Sequence, residues 1–327
     1  MSAGSGATRR VHWAAGELAA GPWALELTAQ GAGWQWTSLR VLALDAGASQ
    51  GFATGAEEML VLPLEGSCTV SCDGEELELE GRRDVFSSPS DFAYVPRDAE
   101  VLVTSGAGGR FALCGAEAGR RLPLRRRAAS QVAVELRGAG DSSRRVVNYC
   151  MPDTFEADRL LVCEVITPSG NWSSYPPHKH DEERPGETEL EEIYYFELDD
   201  HGHDPGAAYL RLYGTDARPI AFLGALQSGH VVAVPHGYHG PAMAPPGYDL
   251  YYLNVMAGPV RSWLASDDPT YAWVRATWGT QAVDRRLLDD EPGTEGPTDG
   301  PREGPTDGPR EGPSEGPTGG PRAGGQR

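Results

Sequence analysis

The segment GNWSSYPPHKHD, residues 170–181, contains two histidines, His178 and His180, that a single residue separates. In a β-strand, side chains two positions apart project from the same face, so both imidazoles would point the same way. The segment EEIYYF follows at 191–196, and GHVVAVPHGYH at 229–239 then adds a strand, a turn and a further histidine. Three imidazoles and a carboxylate suit a divalent metal ion and leave coordination positions open for water or substrate.

The composition favours many short strands around such a site. The chain has 42 Gly and 26 Pro among 327 residues, with 39% hydrophobic and 23% charged residues. This balance disfavours helical bundles and coiled coils, which rely on Ala, Glu, Lys and Leu. Short apolar runs between Gly, Pro and Asp turns form two sets, which a basic, polar stretch from about 120 to 145 separates. We therefore predict an all-β fold of two tandem barrels or sandwiches, joined by a linker.

The predicted domain boundaries follow from these sets and from the last part of the chain. We assign 1–125 to the first barrel, 126–288 to the second and 289–327 to a Gly/Pro-rich tail. In this tail GPTDGPRE at 296–303 is repeated at 304–311, and Val, Ile, Leu and aromatic residues are missing. Such a segment cannot bury enough apolar surface to offset its ordering entropy, so we predict that it is disordered.

The histidines are distributed unevenly between the two predicted barrels. Seven of the eight lie between 178 and 239, and none lies between His12 and His178. A site built from imidazoles therefore belongs to the second barrel. We interpret the first barrel as a structural or dimerising partner.

The order and spacing of these residues resemble the two motifs of the cupin superfamily, which are a Gly followed by His-x-His and Glu, and then Gly-x5-Pro-x-Gly near a further His. The sequence has a longer insertion between His180 and the glutamate, and this spacing leaves Glu191 and Glu192 as alternatives. The resemblance implies a divalent ion such as Zn, Mn, Fe or Ni. The implied ligands are His178, His180, Glu192 and His239.

A narrower resemblance covers roughly residues 10–288. The segments NWSSYPPHKHD at 171–181, LEEIYYF at 190–196 and PGYDLYYLNVMAGP at 246–259 are similar to the 5-deoxy-glucuronate isomerase family of bacterial myo-inositol catabolism. The resemblance implies a bicupin fold, which consists of two tandem jelly-roll barrels. It also implies that the N-terminal barrel is degenerate and lacks the metal ligands. In the family pattern the glutamate directly before Ile-Tyr-Tyr is the metal ligand, which implies Glu192.

The reaction implied by this resemblance is an aldose–ketose shift that needs no redox cofactor. It converts 5-deoxy-D-glucuronate into 5-dehydro-2-deoxy-D-gluconate by moving a proton from C2 to C1 through an enediolate. A metal near O1 and O2 would polarise the carbonyl and offset the developing negative charge. Three alternatives remain open: the 4-deoxy-L-threo-5-hexosulose-uronate ketol-isomerase of pectin degradation, a cupin dioxygenase, and a non-catalytic sugar-binding cupin.

Strand alternation selects candidates for acid–base groups beside the metal. Lys179 lies between two histidines that are expected to face inward, so it should face outward. Tyr194 shares the face of Glu192, whereas its neighbours in sequence point away. On the strand near 250–256, Tyr252 and Asn254 share one face. We therefore predict Tyr194, Tyr252 and Asn254 as catalytic residues.

A carboxylate substrate needs local positive groups, because the whole chain carries a formal charge of -19. We predict that Arg184, Arg211 and Arg218 are candidates for this role. Arg211 lies within a predicted strand of the second barrel. Arg184 lies in the acidic insertion, where neighbouring glutamates are alternative partners.

The charge balance and the cysteines bear on partners and cellular location. With 28 basic against 47 acidic residues, no broad basic surface is available for nucleic acid or anionic lipid. No apolar run reaches membrane-spanning length and we expect no signal peptide. Five cysteines without metal or disulfide spacing favour a reducing cytoplasm. We therefore expect a cytoplasmic protein. The family resemblance further implies a small anionic sugar as the substrate and a homo-oligomer, because a second subunit commonly covers the exposed barrel edges of two-domain cupins.

Overall fold

In residues 10–288, the part of the chain that the computed structural model describes, nearly all regular secondary structure is β-strand. This confirms the all-β class, whereas the tail at 289–327 lies outside the described residues. Apolar runs between turns become strands because β-branched and aromatic residues fit a pleated, half-buried surface. The strands of the first half are β1 (His12–Trp13), β2 (Trp23–Leu27), β3 (Thr37–Leu44), β4 (Ser49–Ala53), β5 (Glu57–Cys72), β6 (Glu75–Arg82), β7 (Phe92–Val95), β8 (Glu100–Thr104), β9 (Gly109–Glu117) and β10 (Arg125–Arg127). One short helix, α1 (Ala29–Ala32), lies between β2 and β3.

The second half contains twelve further strands within the described residues. They are β11 (Ala133–Arg137), β12 (Arg144–Asn148), β13 (Leu161–Thr167), β14 (Trp172–Ser173), β15 (His178–Lys179), β16 (Glu191–Asp199), β17 (Ala208–Tyr213), β18 (Ala221–Leu226), β19 (Val231–Val234), β20 (Tyr238–Met243), β21 (Asp249–Ala257) and β22 (Ser266–Asp267). Helix α2 (Trp273–Thr277) follows the last strand. Within residues 10–288, no helix has the length and apolar character that crossing a bilayer requires.

Three sheets organise these strands. The first half forms a nine-stranded sheet in the order β10-β7-β5-β9-β3-β2, to which β4, β6 and β8 attach. The second half forms a seven-stranded sheet in the order β1-β19-β16-β21-β13-β12-β11 and a six-stranded sheet in the order β18-β17-β20-β15-β22, with β14 beside β20. The domain boundary at 125/126 stays a prediction: β10 extends across it, and β1 pairs with β19 of the other half.

The central strands are buried on both faces, which explains their nearly continuous apolar sequences. On β16, Tyr194 and Phe196 belong to the interior of the second barrel, whereas Ile193 and Tyr195 belong to the apolar layer between the two halves. On β21, Tyr252 likewise lies inside the barrel. The alternation expected for β16 and the shared face expected for Tyr252 are therefore present in the fold.

Two glutamates join the halves through backbone amides. The carboxylate of Glu58 on β5 accepts hydrogen bonds from the N–H groups of 158, 159 and 160 at 2.8, 2.6 and 2.8 Å. The carboxylate of Glu191 on β16 accepts hydrogen bonds from those of 35, 36 and 37 at 2.8, 2.7 and 3.2 Å. The amides of 158–160 directly precede β13, the first long strand of the second half. The amides of 35–37 lie at the start of β3, the first long strand of the first half. We call these contacts the two amide clasps.

Candidate metal centre

Neighbouring strands of the six-stranded sheet bring two distant histidines together. His178 on β15 lies directly opposite His239 on β20 in the strand register. The turn before His239 requires a glycine, because Gly237 has a φ of 90° and a Cβ there would lie 2.7 Å from the carbonyl oxygen of Tyr213. The bend at 235–237 therefore ends at a glycine, directly before the strand that carries His239.

The three histidines and Glu192 form one buried cluster. The ring centroids of His178 and His239 are 4.5 Å apart, and those of His180 and His239 are 4.8 Å apart. The Nε2 atoms of His180 and His239 each lie 3.0 Å from Oε2 of Glu192. One nitrogen from each of the three histidines falls within a group no wider than 4.8 Å. The structure thus brings together all four side chains implied as metal ligands.

Backbone carbonyls orient two of the imidazoles. Nδ1 of His180 lies 3.3 Å from the carbonyl oxygen of Leu190, and Nδ1 of His239 lies 3.3 Å from that of Gly237. A carbonyl oxygen only accepts hydrogen bonds, so each Nδ1 carries a proton and Nε2 is the nitrogen left to bind a metal ion. Metal-binding histidines commonly have this arrangement.

Each of these Nε2 atoms faces a carboxylate oxygen, so a proton or a metal ion must lie between nitrogen and oxygen. Nε2 of His239 is buried and has no hydrogen-bond partner within the described residues, although Glu192 is close. Burial and the neighbouring His239 hold the pKa of His178 well below its usual value, so this ring is neutral. Burial raises the pKa of Glu192, but the nearby His239 and His180 lower it more, so Glu192 is ionised. Neutral imidazoles with one carboxylate fit a divalent transition metal.

A cavity beside this cluster contains the predicted acid–base candidates. Tyr194, Tyr252 and Asn254 line it together with His178 and Glu192. The cavity is narrow, with about 40 Å³ in which the centre of a water molecule fits. The indole of Trp263 lines it and lies 5.3 Å from the His180 ring, between centroids. A sugar acid can therefore enter only if side chains such as Trp263 move.

Hydrogen bonds distinguish the candidate side chains from one another. Oγ of Ser174 lies 3.2 Å from the Tyr252 hydroxyl and 3.5 Å from that of Tyr194. Nδ2 of Asn254 is buried and has no hydrogen-bond partner within the described residues. Ser174 itself has a φ of 47°. Unsatisfied donors and unusual backbone conformations are concentrated at functional sites, and both occur at this cavity.

The three arginines predicted to bind a carboxylate lie elsewhere. Arg184 pairs with Glu187 at 2.6 Å, and Arg218 pairs with Asp181 at 3.1 Å. The Arg211 guanidinium lies 3.9 Å from the centroid of the Tyr213 ring. Arg211 alternates with the barrel-core residues of β17 and so projects from the outer face of that strand. The structure does not bring these guanidinium groups to the cavity.

Two other arginines, Arg137 and Arg144, line the cavity. They lie opposite each other on β11 and β12. Both belong to the basic stretch from about 120 to 145 that the sequence pattern marks as a linker. The alternation in VELR and the two β-branched residues in RRVV could have indicated strands, but nothing in the sequence indicates that these strands border the second barrel.

Lys179 points away from the metal cluster, as expected, but it is buried rather than exposed. Its Nζ lies 2.6 Å from Asp181, 3.0 Å from Glu182 and 2.6 Å from Glu187. Asp181 also accepts a hydrogen bond from the Gly237 N–H at 2.9 Å. Burial raises the pKa of Asp181, but these hydrogen bonds lower it to about 2. Asp181 of the acidic insertion therefore stabilises the turn that precedes His239.

Sequence comparison agrees with this geometry. The KduI/IolB family profile matches residues 14–274. The 5-deoxy-glucuronate isomerase of Geobacillus kaustophilus is 42% identical over 255 residues, which cover 76% of this chain and 90% of that protein. That of Bacillus subtilis strain 168 is 39% identical over 255 residues, which cover 76% of this chain and 91% of that protein.

Structural comparison supports the same assignment. The crystal structure of an IolB-like protein of Salmonella typhimurium aligns with a TM-score of 0.75 and 34% identity, covering 81% of this chain and 99% of that chain. Oxalate decarboxylase of Lactobacillus farciminis aligns with a TM-score of 0.56 and 11% identity, covering 89% of this chain and 95% of that chain. The second likeness concerns the fold alone and confirms the predicted bicupin architecture. Taken with the family profile and the sequence relatives, the first shows that this chain belongs to the KduI/IolB family.

Proposed function

We propose that this chain is a metal-dependent aldose–ketose isomerase that converts 5-deoxy-D-glucuronate into 5-dehydro-2-deoxy-D-gluconate in myo-inositol catabolism. The observation that carries the proposal is the convergence of three imidazoles and one carboxylate beside a cavity lined by hydrogen-bond donors. The relatives named 5-deoxy-glucuronate isomerase, at 39% and 42% identity, support the choice of substrate.

The metal ligands of the proposed enzyme are His178, His180, Glu192 and His239. A divalent ion held there would polarise the substrate carbonyl and offset negative charge on the enediolate oxygens. This donor set suits Zn, Mn, Fe or Ni. Glu192 contributes one negative charge, so the site keeps a net positive charge of one when a divalent ion is bound.

The cavity side chains act as hydrogen-bond donors in the proposed reaction. Burial raises the pKa values of Tyr194 and Tyr252, so both phenols remain protonated at neutral pH. Each can donate a hydrogen bond to a substrate oxygen, and the unpartnered Nδ2 of Asn254 is a third donor. Donors that are already oriented stabilise negative charge as it develops on those oxygens. Lys179 is unsuited as a base because three carboxylates surround its ammonium group.

The test is turnover by purified protein of known metal content. NMR should record loss of the aldehyde of 5-deoxy-D-glucuronate and formation of the ketone. We expect a chelator and His239→Ala each to reduce kcat/KM by at least about 1000-fold, because the chelator removes the metal ion and the substitution removes one of its proposed ligands. The matched control is His203→Ala, since His203 is exposed and belongs neither to the histidine cluster nor to the lining of the cavity. This variant should retain wild-type activity.

Three outcomes would favour the alternatives. Faster turnover of 4-deoxy-L-threo-5-hexosulose uronate would favour the ketol-isomerase of pectin degradation. Oxygen uptake with a catechol or thiol would favour a dioxygenase. Saturable sugar binding by metal-loaded protein without any turnover would favour a sugar-binding cupin.

The location and assembly state form part of the same proposal. We propose a cytoplasmic protein because all five cysteines are buried and free within the described residues. We propose a homo-oligomer because β18, at the edge of the six-stranded sheet, has the uncharged sequence AFLGAL. An exposed apolar edge strand is a template for pairing with another chain.

A further inference from the structure

Arg144 on β12 is a buried arginine in the same cavity as His178 and Glu192. One of its terminal nitrogens donates a hydrogen bond to the carbonyl oxygen of Ser142 at 2.9 Å. Its guanidinium lies 5.5 Å from the centroid of a Trp278 ring. Within residues 10–288, the guanidinium makes no ion pair with a carboxylate.

Arg82, another buried arginine, shows what a structural role looks like. Both terminal nitrogens of Arg82 contact the carboxylate of Glu164 at 2.8 Å. Tyr149 and Tyr251 donate further hydrogen bonds to the same carboxylate, at 2.9 and 3.1 Å. A buried charge is stable when it is paired in this way and is costly when it is not. Arg144 lacks such a partner and yet lines a cavity.

The charge of Arg144 persists under physiological conditions. Burial lowers its pKa to about 10, which leaves the guanidinium protonated at neutral pH. An unpaired buried cation destabilises the folded protein unless a ligand supplies the anion. Guanidinium groups bind carboxylates through two parallel hydrogen bonds, so a carboxylate is the anion that such a group recognises best.

Arg137 extends the positive charge to the rim of the cavity. It lies directly across the strand pair from Arg144, and its side chain is 35% exposed. Its Nε donates a hydrogen bond to Glu135 at 2.6 Å, so its charge is partly compensated. Two like charges at directly opposite positions of a strand pair are unfavourable without an anion nearby.

We infer that Arg144 binds the carboxylate of the sugar substrate, while Arg137 attracts it at the rim of the cavity. The identity of the substrate rests on the function proposed above, whereas the chemistry requires only a hexuronate. The assignment makes Arg144 the residue that distinguishes uronates from neutral sugars.

Arg144→Met tests this inference. We expect kcat/KM for 5-deoxy-D-glucuronate to fall by about 100-fold or more, because an ionic hydrogen-bonded contact to the substrate is lost. The metal content should be unchanged. The Tm without substrate should be equal to the wild-type value or higher, because the substitution removes an unpaired buried charge. Arg144→Lys should retain part of the activity, since lysine keeps the positive charge but cannot form two parallel hydrogen bonds with a carboxylate.

The rim residue supplies a matched variant. Arg137→Met should reduce kcat/KM by less than about 10-fold, because a partly exposed and compensated charge contributes little. Its effect should also diminish as salt is raised. A larger loss for Arg137→Met than for Arg144→Met would overturn the assignment of roles.

A binding comparison separates this inference from the proposed function. D-Glucuronate, but not D-glucose, should raise the Tm of metal-loaded wild-type protein, and Arg144→Met should remove the difference between the two sugars. Absence of isomerase turnover in the wild type would end the proposed function and leave this comparison intact. Wild-type kcat/KM in Arg144→Met, or a lowered Tm together with unchanged preference for D-glucuronate, would overturn the inference.

Discussion

At the level of single residues, Glu191 and Glu192 show how strand alternation gives adjacent carboxylates different roles. Glu191 points toward the first half of the chain and holds three backbone amides. Glu192 points into the second barrel and contacts His180 and His239. Motif spacing leaves both as ligand candidates. Their side chains point to opposite faces of β16, and this difference separates their roles. The family pattern and the geometry agree on Glu192.

This division of roles predicts opposite effects for matched substitutions. Glu192→Gln should lower metal affinity by more than about 100-fold, because it removes a charged ligand. Glu191→Gln should leave metal content unchanged but reduce the free energy of unfolding by about 2 kcal/mol, since hydrogen bonds to a charged group are weakened. Metal analysis after dialysis and chemical denaturation measure the two effects. Loss of metal in both variants, or in neither, would contradict the assignment.

At the level of elements, β1 shows which parts of the fold the sequence pattern does not reveal. This two-residue strand pairs with β19, more than two hundred residues away, and thereby joins the sheet that carries Glu192. Apolar periodicity predicts that strands exist, but a pairing between distant segments depends on the tertiary fold. The same reason explains why Arg144 escapes prediction: its strand lies in a basic stretch, and its partner strands are set by packing.

A pair of histidines connects β1 to the residue before β19, and this pair predicts that the stability of the protein depends on pH. Nε2 of His12 lies 3.0 Å from Nδ1 of His230. Burial lowers the pKa of both, and Arg10 further lowers that of His12 while His12 further lowers that of His230. A base with a lowered folded-state pKa binds more protons when unfolded, so stability is full above about pH 6.5 and falls below it.

His12→Gln should therefore weaken the pH dependence of stability. We expect the wild type to lose about 1–3 °C more in Tm than the variant between pH 7.5 and pH 5.5, an effect kept small by partial solvent exposure. The histidines of the metal cluster are common to both proteins and cancel in the comparison. Equal slopes of Tm against pH would show that the pair does not titrate in this range.

At the level of the whole molecule, the two amide clasps relate the halves to each other. Glu58 on β5 corresponds to Glu191 on β16, since each holds three amides at the start of the other half's first long strand. The residue after Glu191 is the proposed ligand Glu192, whereas the residue after Glu58 is Met59, in the apolar interior of the first barrel. At this position the described part of the first half therefore has an apolar side chain where the second half has a carboxylate. The uneven distribution of histidines already indicates a difference between the halves.

The sheet edge at β18 is where we expect the assembly of the molecule to depend on a single residue. Leu223 is 68% exposed on an uncharged edge strand, and a charge there should oppose pairing with a second copy. Leu223→Lys should therefore lower the mass measured by light scattering at micromolar concentrations. Leu102→Lys is the matched control, because Leu102 is 42% exposed but lies on β8, which has strand neighbours on both sides. A monomeric wild type, or equal masses for all three proteins, would refute a role for β18 in assembly.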